Sequence, residues 1–263
     1  MSTLQVGAST LYYELYDDTP APGRPTLVLL HGVGGNHASW FYQVTAWRTG
    51  HRLLVVDARG FGNSSDTENA GRDRFIDDLA AVLDAVEVDR AVLVAQSMGG
   101  GTAAGYTCRH PQRVAALVLA DTLVGLSLPA PLSERMAVLT ERNASLTQVQ
   151  RVLGPTFVAA HPALATLYTA LASFNRYNVR TLPGVGEKHT LADLAATKVP
   201  LLFVVGEEDV LFPPAEVKAA QLATPGSSFV ELPQAGHSAY FETPVAFNDT
   251  VLGWIASAGV ALR

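Results

Sequence analysis

Five short stretches of the chain are apolar almost from end to end: Thr26-Leu27-Val28-Leu29-Leu30, Arg52-Leu53-Leu54-Val55-Val56, Ala91-Val92-Leu93-Val94-Ala95, Val114 to Ala120, and Pro200 to Val205. A strand with one wet face alternates polar with apolar residues. Runs this uniform are buried on both faces. Helical patterns lie between them. Arg74 to Val86, for example, sets Phe75, Leu79, Val82, Leu83 and Val86 on one stripe, with acids opposite. Buried strands alternating with helices predict an α/β fold: a mostly parallel sheet covered by helices on each side. Ligands bind such sheets beyond the C-terminal ends of the strands, so the loops that follow the runs are where chemistry is expected.

Those loops are distinctive. The first run leads into His31-Gly32-Val33-Gly34-Gly35, the second into Asp57-Ala58-Arg59-Gly60-Phe61-Gly62, and the third into Gln96-Ser97-Met98-Gly99-Gly100. The fourth ends at Asp121-Thr122 and the fifth at Gly206-Glu207-Glu208-Asp209. A further strand is expected over Ser228–Leu232, before Ala235-Gly236-His237. Leu11 to Tyr16 alternates and reads as an edge strand, and Asp17 to Pro25 reads as a loop. Helices are expected from Asn36 or Ser39 to Trp47, from Pro214 to Leu222 and from Pro244 to Ala256.

The rhythm breaks between Leu123 and Thr197. Helical patterns punctuated by Pro129, Pro131, Gly154-Pro155, His161-Pro162 and Pro183-Gly184 fill this span, with no convincing strand. The organisation expected is a core of 1–122 and 197–263 with a helical cap, 123–196, inserted over the site.

Ser97 sits where a strand passes straight into a helix. Held in a strained turn, such a serine needs small residues two before and two after, here Ala95 and Gly99. An ordinary serine N-cap on a βα turn is the plainer alternative. A serine hydroxyl is a poor nucleophile near neutral pH. It needs a base, and the base needs an orienting carboxylate. Ser97, Asp209 and His237 follow in that order, each just past a strand. Glu208, Asp121 and Asp57 compete for the acid, and His31 for the histidine.

Composition narrows the classes. The formal net charge is −6, with no basic patch, which argues against nucleic acid or an anionic membrane as partner. Hydrophobic content of 48% and charged content of 16% fit a globular chain. The single cysteine, Cys108, allows no intrachain disulfide and reads as a small apolar residue. His110, His161 and His189 are scattered, no phosphate-binding glycine pattern occurs, and neither metal nor cofactor is expected. The opening residues lack a signal-peptide pattern and no run reaches membrane length, so a cytoplasmic protein is expected.

The strand contexts, the Ser–Asp–His order, the Asp-x-Arg-Gly-x-Gly turn at Asp57–Gly62 and the His-Gly turn at His31 together resemble the α/β-hydrolase family. The resemblance covers essentially the whole chain apart from the insertion. It implies an eight-stranded-type sheet with Ser97 as nucleophile, His237 as general base and acid, and Asp209, in Gly-x-x-Asp, as orienting acid. It implies an oxyanion hole from the backbone N–H groups of Val33 and Met98, and a structural His31. Ser97 stands where the halide- and epoxide-cleaving branches carry aspartate. Ser-Met-Gly-Gly at Ser97–Gly100 is similar to the meta-cleavage-product hydrolases, which usually carry Asn before the serine and Trp after the histidine; here those positions hold Gln96 and Ser238. The enol-lactonase group shares the general motifs.

Specificity is expected from Val33, Gln96, Met98, Phe212 and Ser238 and from the insertion. Phe157, Tyr168, Phe174, Asn175, Arg176, Tyr177 and Arg180 there either pack the cap or form an apolar acyl pocket in which Arg176 or Arg180 meets a carboxylate. The function expected is a cofactor-free serine hydrolase of a small carboxylic ester or lactone. The alternatives are a C–C bond hydrolase and a ligand-binding protein that keeps the fold.

Overall fold

The computed structural model describes residues 2–18 and 24–262. Of the expected loop Asp17 to Pro25, residues 19–23 lie outside the described residues. The chain runs β1 (Ser2–Val6), β2 (Ser9–Tyr16), β3 (Thr26–Leu30), α1 (Phe41–Trp47), β4 (Leu53–Val56), α2 (Phe75–Ala85), β5 (Ala91–Gln96), α3 (Met98–Arg109) and β6 (Val114–Ala120). It continues through α4 (Ala130–Asn143), α5 (Gln148–Val152), α6 (Pro155–Ala160), α7 (Pro162–Ala172) and α8 (Leu191–Ala196). It closes with β7 (Leu201–Gly206), α9 (Pro214–Leu222), β8 (Ser228–Leu232), α10 (Ala239–Glu242) and α11 (Pro244–Ser257).

The eight strands form one sheet in the order β1-β2-β4-β3-β5-β6-β7-β8. β1 and β2 pair antiparallel, as do β2 and β4; the other pairs are parallel. Period-two alternation within the apolar runs builds two cores. Val28, Leu30, Leu93, Ala95, Phe203 and Val205 face one side, under α2, α3 and α9. Leu27, Leu29, Val92, Val94, Leu202 and Val204 face the other, with Trp40, Trp47, Phe241 and Phe247. Burying each Leu or Val side chain fully contributes about 1.5–3 kcal/mol, so the same residues that make the strands fix the layers.

Two expectations change. The strand expected over Leu11–Tyr16 starts at Ser9 and is not the edge, because β1 lies outside it. β1, Ser-Thr-Leu-Gln-Val, is half exposed and mostly polar, so it gives no burial signal. Within the 123–196 span, where no strand was expected, Leu126–Ser127 pairs parallel with His189–Thr190. α8 belongs to the same span, yet its Leu191 and Leu194 enter the main core with α2 and α3.

The Asp57 turn is held by its own side chains. Asp57 accepts N–H groups of His37 at 2.6 Å and Asn63 at 2.8 Å. The buried Arg59 guanidinium grips Asp78 of α2 through two bonds of 2.7 and 2.6 Å and donates to Ser9 Oγ at 2.8 Å. Cys108, in α3, is half-buried, and burial pushes its thiol up to about 11.

Candidate active site

β5 delivers Ser97 to the C-terminal edge of the sheet with φ +50° and ψ −116°. Positive φ is strained for a residue with a Cβ and persists only where surroundings enforce it. They do so here. Ser97 N–H donates to Ala120 O at 3.1 Å, while its carbonyl accepts Gly100 N–H at 2.9 Å and Thr122 Oγ1 at 2.7 Å. A Cβ on Gly99 would stand 2.5 Å from Leu30 O, and one on Gly32 would stand 2.9 Å from Ser97 Cβ. The β3 loop therefore rests directly on the serine.

His237 follows β8 and reaches back to it. Its Nε2 lies 2.9 Å from Ser97 Oγ, and its Nδ1 lies 3.0 Å from Asp209 Oδ2. The other Asp209 oxygen accepts the N–H groups of Leu211 at 2.8 Å and Phe212 at 3.0 Å, which leaves Oδ2 for the imidazole. Phe212 stacks on the ring at 5.7 Å between centroids. Gln96 Nε2 donates to His237 O at 2.7 Å. Burial opposes an imidazolium here. The Asp209 carboxylate, through charge and hydrogen bond, then Asp121 and Glu242, outweigh it and raise the His237 pKa.

The rival acids have other partners. Glu208 accepts Thr156 N–H at 3.0 Å, and Asp57 is engaged with His37. Asp121 accepts Gly206 N–H at 2.8 Å and Ala239 N–H at 3.2 Å, behind the row. Burial, reinforced by the charge of Asp209, holds the Asp121 pKa well above the usual carboxylate range. His31 accepts Ala58 N–H at Nε2, 3.0 Å, so Nδ1 carries the proton and donates to Gly32 O at 2.7 Å. It shapes the loop that bears Val33. Met98 opens α3, and a helix leaves its first N–H groups without carbonyl partners of its own.

The expected substrate residues divide. Gln96, Phe212 and Ser238 surround His237. Ser238 Oγ donates to Val152 O at 2.8 Å and accepts from the Tyr168 hydroxyl at 2.7 Å. Phe174 and Arg176 are not brought to Ser97. Phe174 is 72% exposed. Arg176 donates to Asp66 O at 2.7 Å and Asn69 Oδ1 at 2.8 Å, its guanidinium over the Tyr177 ring. Between them, Asn175 ties the 123–196 span to the loop after β3 by donating to Gly35 O at 3.0 Å. A cavity of about 90 Å³ opens beside Met98, lined by Arg72, Phe75, Thr102, Val124 and Lys188 among others. Sequence reading missed Glu242, a buried carboxylate that binds the backbone on both sides of His237. Its place five residues after the histidine, one helical turn after Ser238, was the available signal. Among the described residues no cluster of three His, Cys, Asp or Glu side chains could hold a metal. No helix described is long and apolar enough to cross a membrane.

A serine, a histidine and a carboxylate in one hydrogen-bonded row, at the strand ends of a largely parallel eight-stranded sheet, define a class of α/β enzymes. The α/β-hydrolase fold family matches residues 25–244; the chain belongs to that family and is a hydrolase. It is 29% identical to a 2-hydroxy-6-oxononadienedioate/2-hydroxy-6-oxononatrienedioate hydrolase of Paraburkholderia phymatum, over 91% of this chain and 90% of that one. It is 27% identical to a putative 2-succinyl-6-hydroxy-2,4-cyclohexadiene-1-carboxylate synthase of Bacillus subtilis, over 98% and 100% of the two chains. The enol-lactonase structure from Burkholderia xenovorans superposes with a TM-score of 0.78 over 97% of this chain and 100% of that one, at 22% identity, so the fold is shared.

Proposed function

We propose that this hydrolase cleaves a small carboxylic ester or lactone through an acyl-enzyme on Ser97. The observation that carries the proposal is the unbroken row Ser97 Oγ–His237 Nε2 and His237 Nδ1–Asp209, at 2.9 and 3.0 Å. With Nδ1–H donated to Asp209, Nε2 is the acceptor that takes the serine proton as Oγ attacks the carbonyl. The Met98 and Val33 N–H groups receive the developing oxyanion; one such donor contributes on the order of 10²–10³ in rate. His237 then protonates the departing alkoxide, and later activates the water that hydrolyses the acyl-enzyme. The chemistry uses only these side chains and backbone groups. In this reading residues 123–196 act as the cap: Tyr168 reaches from α7 to Ser238 and lies 3.8 Å from where a Gly34 Cβ would be.

The test is the initial rate on p-nitrophenyl acetate, butyrate and octanoate, wild type beside Ser97→Ala. A fall of about 10⁶ in kcat, with an organophosphate adduct on Ser97 in the wild type, is expected. No rate above the variant, with no adduct, overturns the proposal. The Paraburkholderia relative favours a second reading, hydrolysis of a C–C bond in a ring-cleavage product. Bleaching of a chromogenic dienoate faster than hydrolysis of the esters would select it.

A further inference from the structure

Glu242 is buried, and its carboxylate accepts three backbone N–H groups. Oε2 takes those of Gly154 at 2.7 Å and Gly236 at 3.0 Å; Oε1 takes that of Ser238 at 3.0 Å. The Ser238 bond is local, because Glu242 closes the single turn of α10 that starts there. The Gly236 bond spans six residues, and the Gly154 bond spans 88. Gly236 and Ser238 bracket His237, whereas Gly154 is the residue from which α6 departs. One carboxylate therefore grips the histidine's backbone on both sides and clips it to the covering segment.

The surroundings enforce this grip. A Cβ on Gly236 would overlap Gly154 N, so the two backbones touch. Ser238 Oγ adds a bond to Val152 O at 2.8 Å. From the acid loop, Glu208, the neighbour of Asp209, accepts Thr156 N–H at 3.0 Å and the Thr156 hydroxyl. Residues 152–156 are thus joined to both loops of the row.

We infer that Glu242 is a positioning residue for His237, holding the ring on the line between Ser97 and Asp209 only while residues 152–156 are docked. This rests on His237 being the base. A carboxylate with three N–H donors is fixed in rotation, and bonds to an ionised acceptor are about twice as strong as neutral ones. Lifting residues 152–156 removes the Gly154 donor, and in a dry site the loss of one donor is costly. The ionisable groups that face this carboxylate are His237, Asp209, Glu208 and Tyr168. Burial pushes Glu242 up to about 7, against the pull of its three N–H bonds. Its charge in turn helps to raise the His237 pKa.

The experiment compares Glu242→Gln, Glu242→Asp and Glu208→Gln with the wild type. It reads kcat and KM on p-nitrophenyl butyrate, the His237 ring titration by NMR, and amide exchange at Gly154, Gly236 and Ser238. Glu242→Gln is expected to lower kcat about 10–100-fold with KM near the wild-type value. It should also move the His237 titration to lower pH and speed exchange at all three amides. Glu242→Asp keeps the charge without the reach, so the titration returns towards wild type while kcat stays low. Glu208→Gln loosens the start of α6 while Glu242 keeps its charge, so kcat falls and exchange at Gly154 speeds with the titration near its wild-type position; unchanged kcat and exchange there overturn the dependence on docking. Wild-type kcat and exchange in Glu242→Gln overturn the inference. So does a loss of activity that tracks lowered thermal stability with the titration unmoved. If the wild type cleaves no ester while titration and exchange respond as expected, the ester reading fails and the positioning role stands.

Discussion

His237 has to be neutral before it can accept the Ser97 proton, yet the carboxylates around it favour the charged ring. Its pKa lies above the ordinary value of about 6.5. In the proposed mechanism kcat/KM therefore rises with pH through a limb above that value, measurable as a pH–rate profile. Asp209→Asn removes the largest of the raising interactions and the acceptor that fixes the tautomer. We expect kcat to drop about 10⁴-fold and the limb to move to lower pH. Stability carries the opposite sign. A histidine with a raised folded pKa contributes stability below about pH 6.5, lost as pH rises through the folded value. At this scale Asp209 is preferred to Glu208 through the Gly-x-x-Asp pattern of the family resemblance, and the two neighbours point apart, one to His237 and one to Thr156. Arg176 was not legible. Its partners Asp66 and Asn69 are more than a hundred positions away in the chain, and no local pattern joins them.

Among the elements, the β5–α3 junction is held by close backbone contact. The Leu30 and His31 carbonyls stand 2.5 and 2.9 Å from where a Gly99 Cβ would sit, and both are backbone atoms that a rotamer change cannot move. Gly99→Ala should destabilise the fold by about 1–3 kcal/mol and suppress activity further by shifting Met98. Urea denaturation alongside ester turnover checks both. The junction was readable in the sequence because a β-branched apolar run stops at a serine between small residues. β1 was not, since a half-exposed edge strand of five residues leaves no periodicity to detect. The Leu126–Ser127 and His189–Thr190 pairing was hidden for another reason: two-residue strands exist only through each other.

Across the whole molecule, buried charge ties the antiparallel margin to the parallel centre. Arg59 is 1% exposed and joins the loop after β4 to α2 through Asp78 and to β2 through Ser9. Arg59→Ala strands the Asp78 carboxylate in a site where burial already raises its pKa. A loss of about 3–5 kcal/mol is expected. Arg59→Met, which fills the space, should cost less if Asp78→Leu accompanies it. Chemical denaturation separates the two. The layers were legible because doubly buried strands need no partner information to be recognised. How 123–196 docks was not, because it depends on carboxylates such as Glu242 and Glu208 meeting backbone N–H groups far along the chain. The lone thiol of Cys108 has a consequence at this scale. With no second cysteine to join and a pKa raised from 9.0 to about 11, it keeps about 100-fold less thiolate than an ordinary cysteine. Disulfide exchange and oxidation at this thiol, which run through the thiolate, are slowed accordingly in the folded molecule.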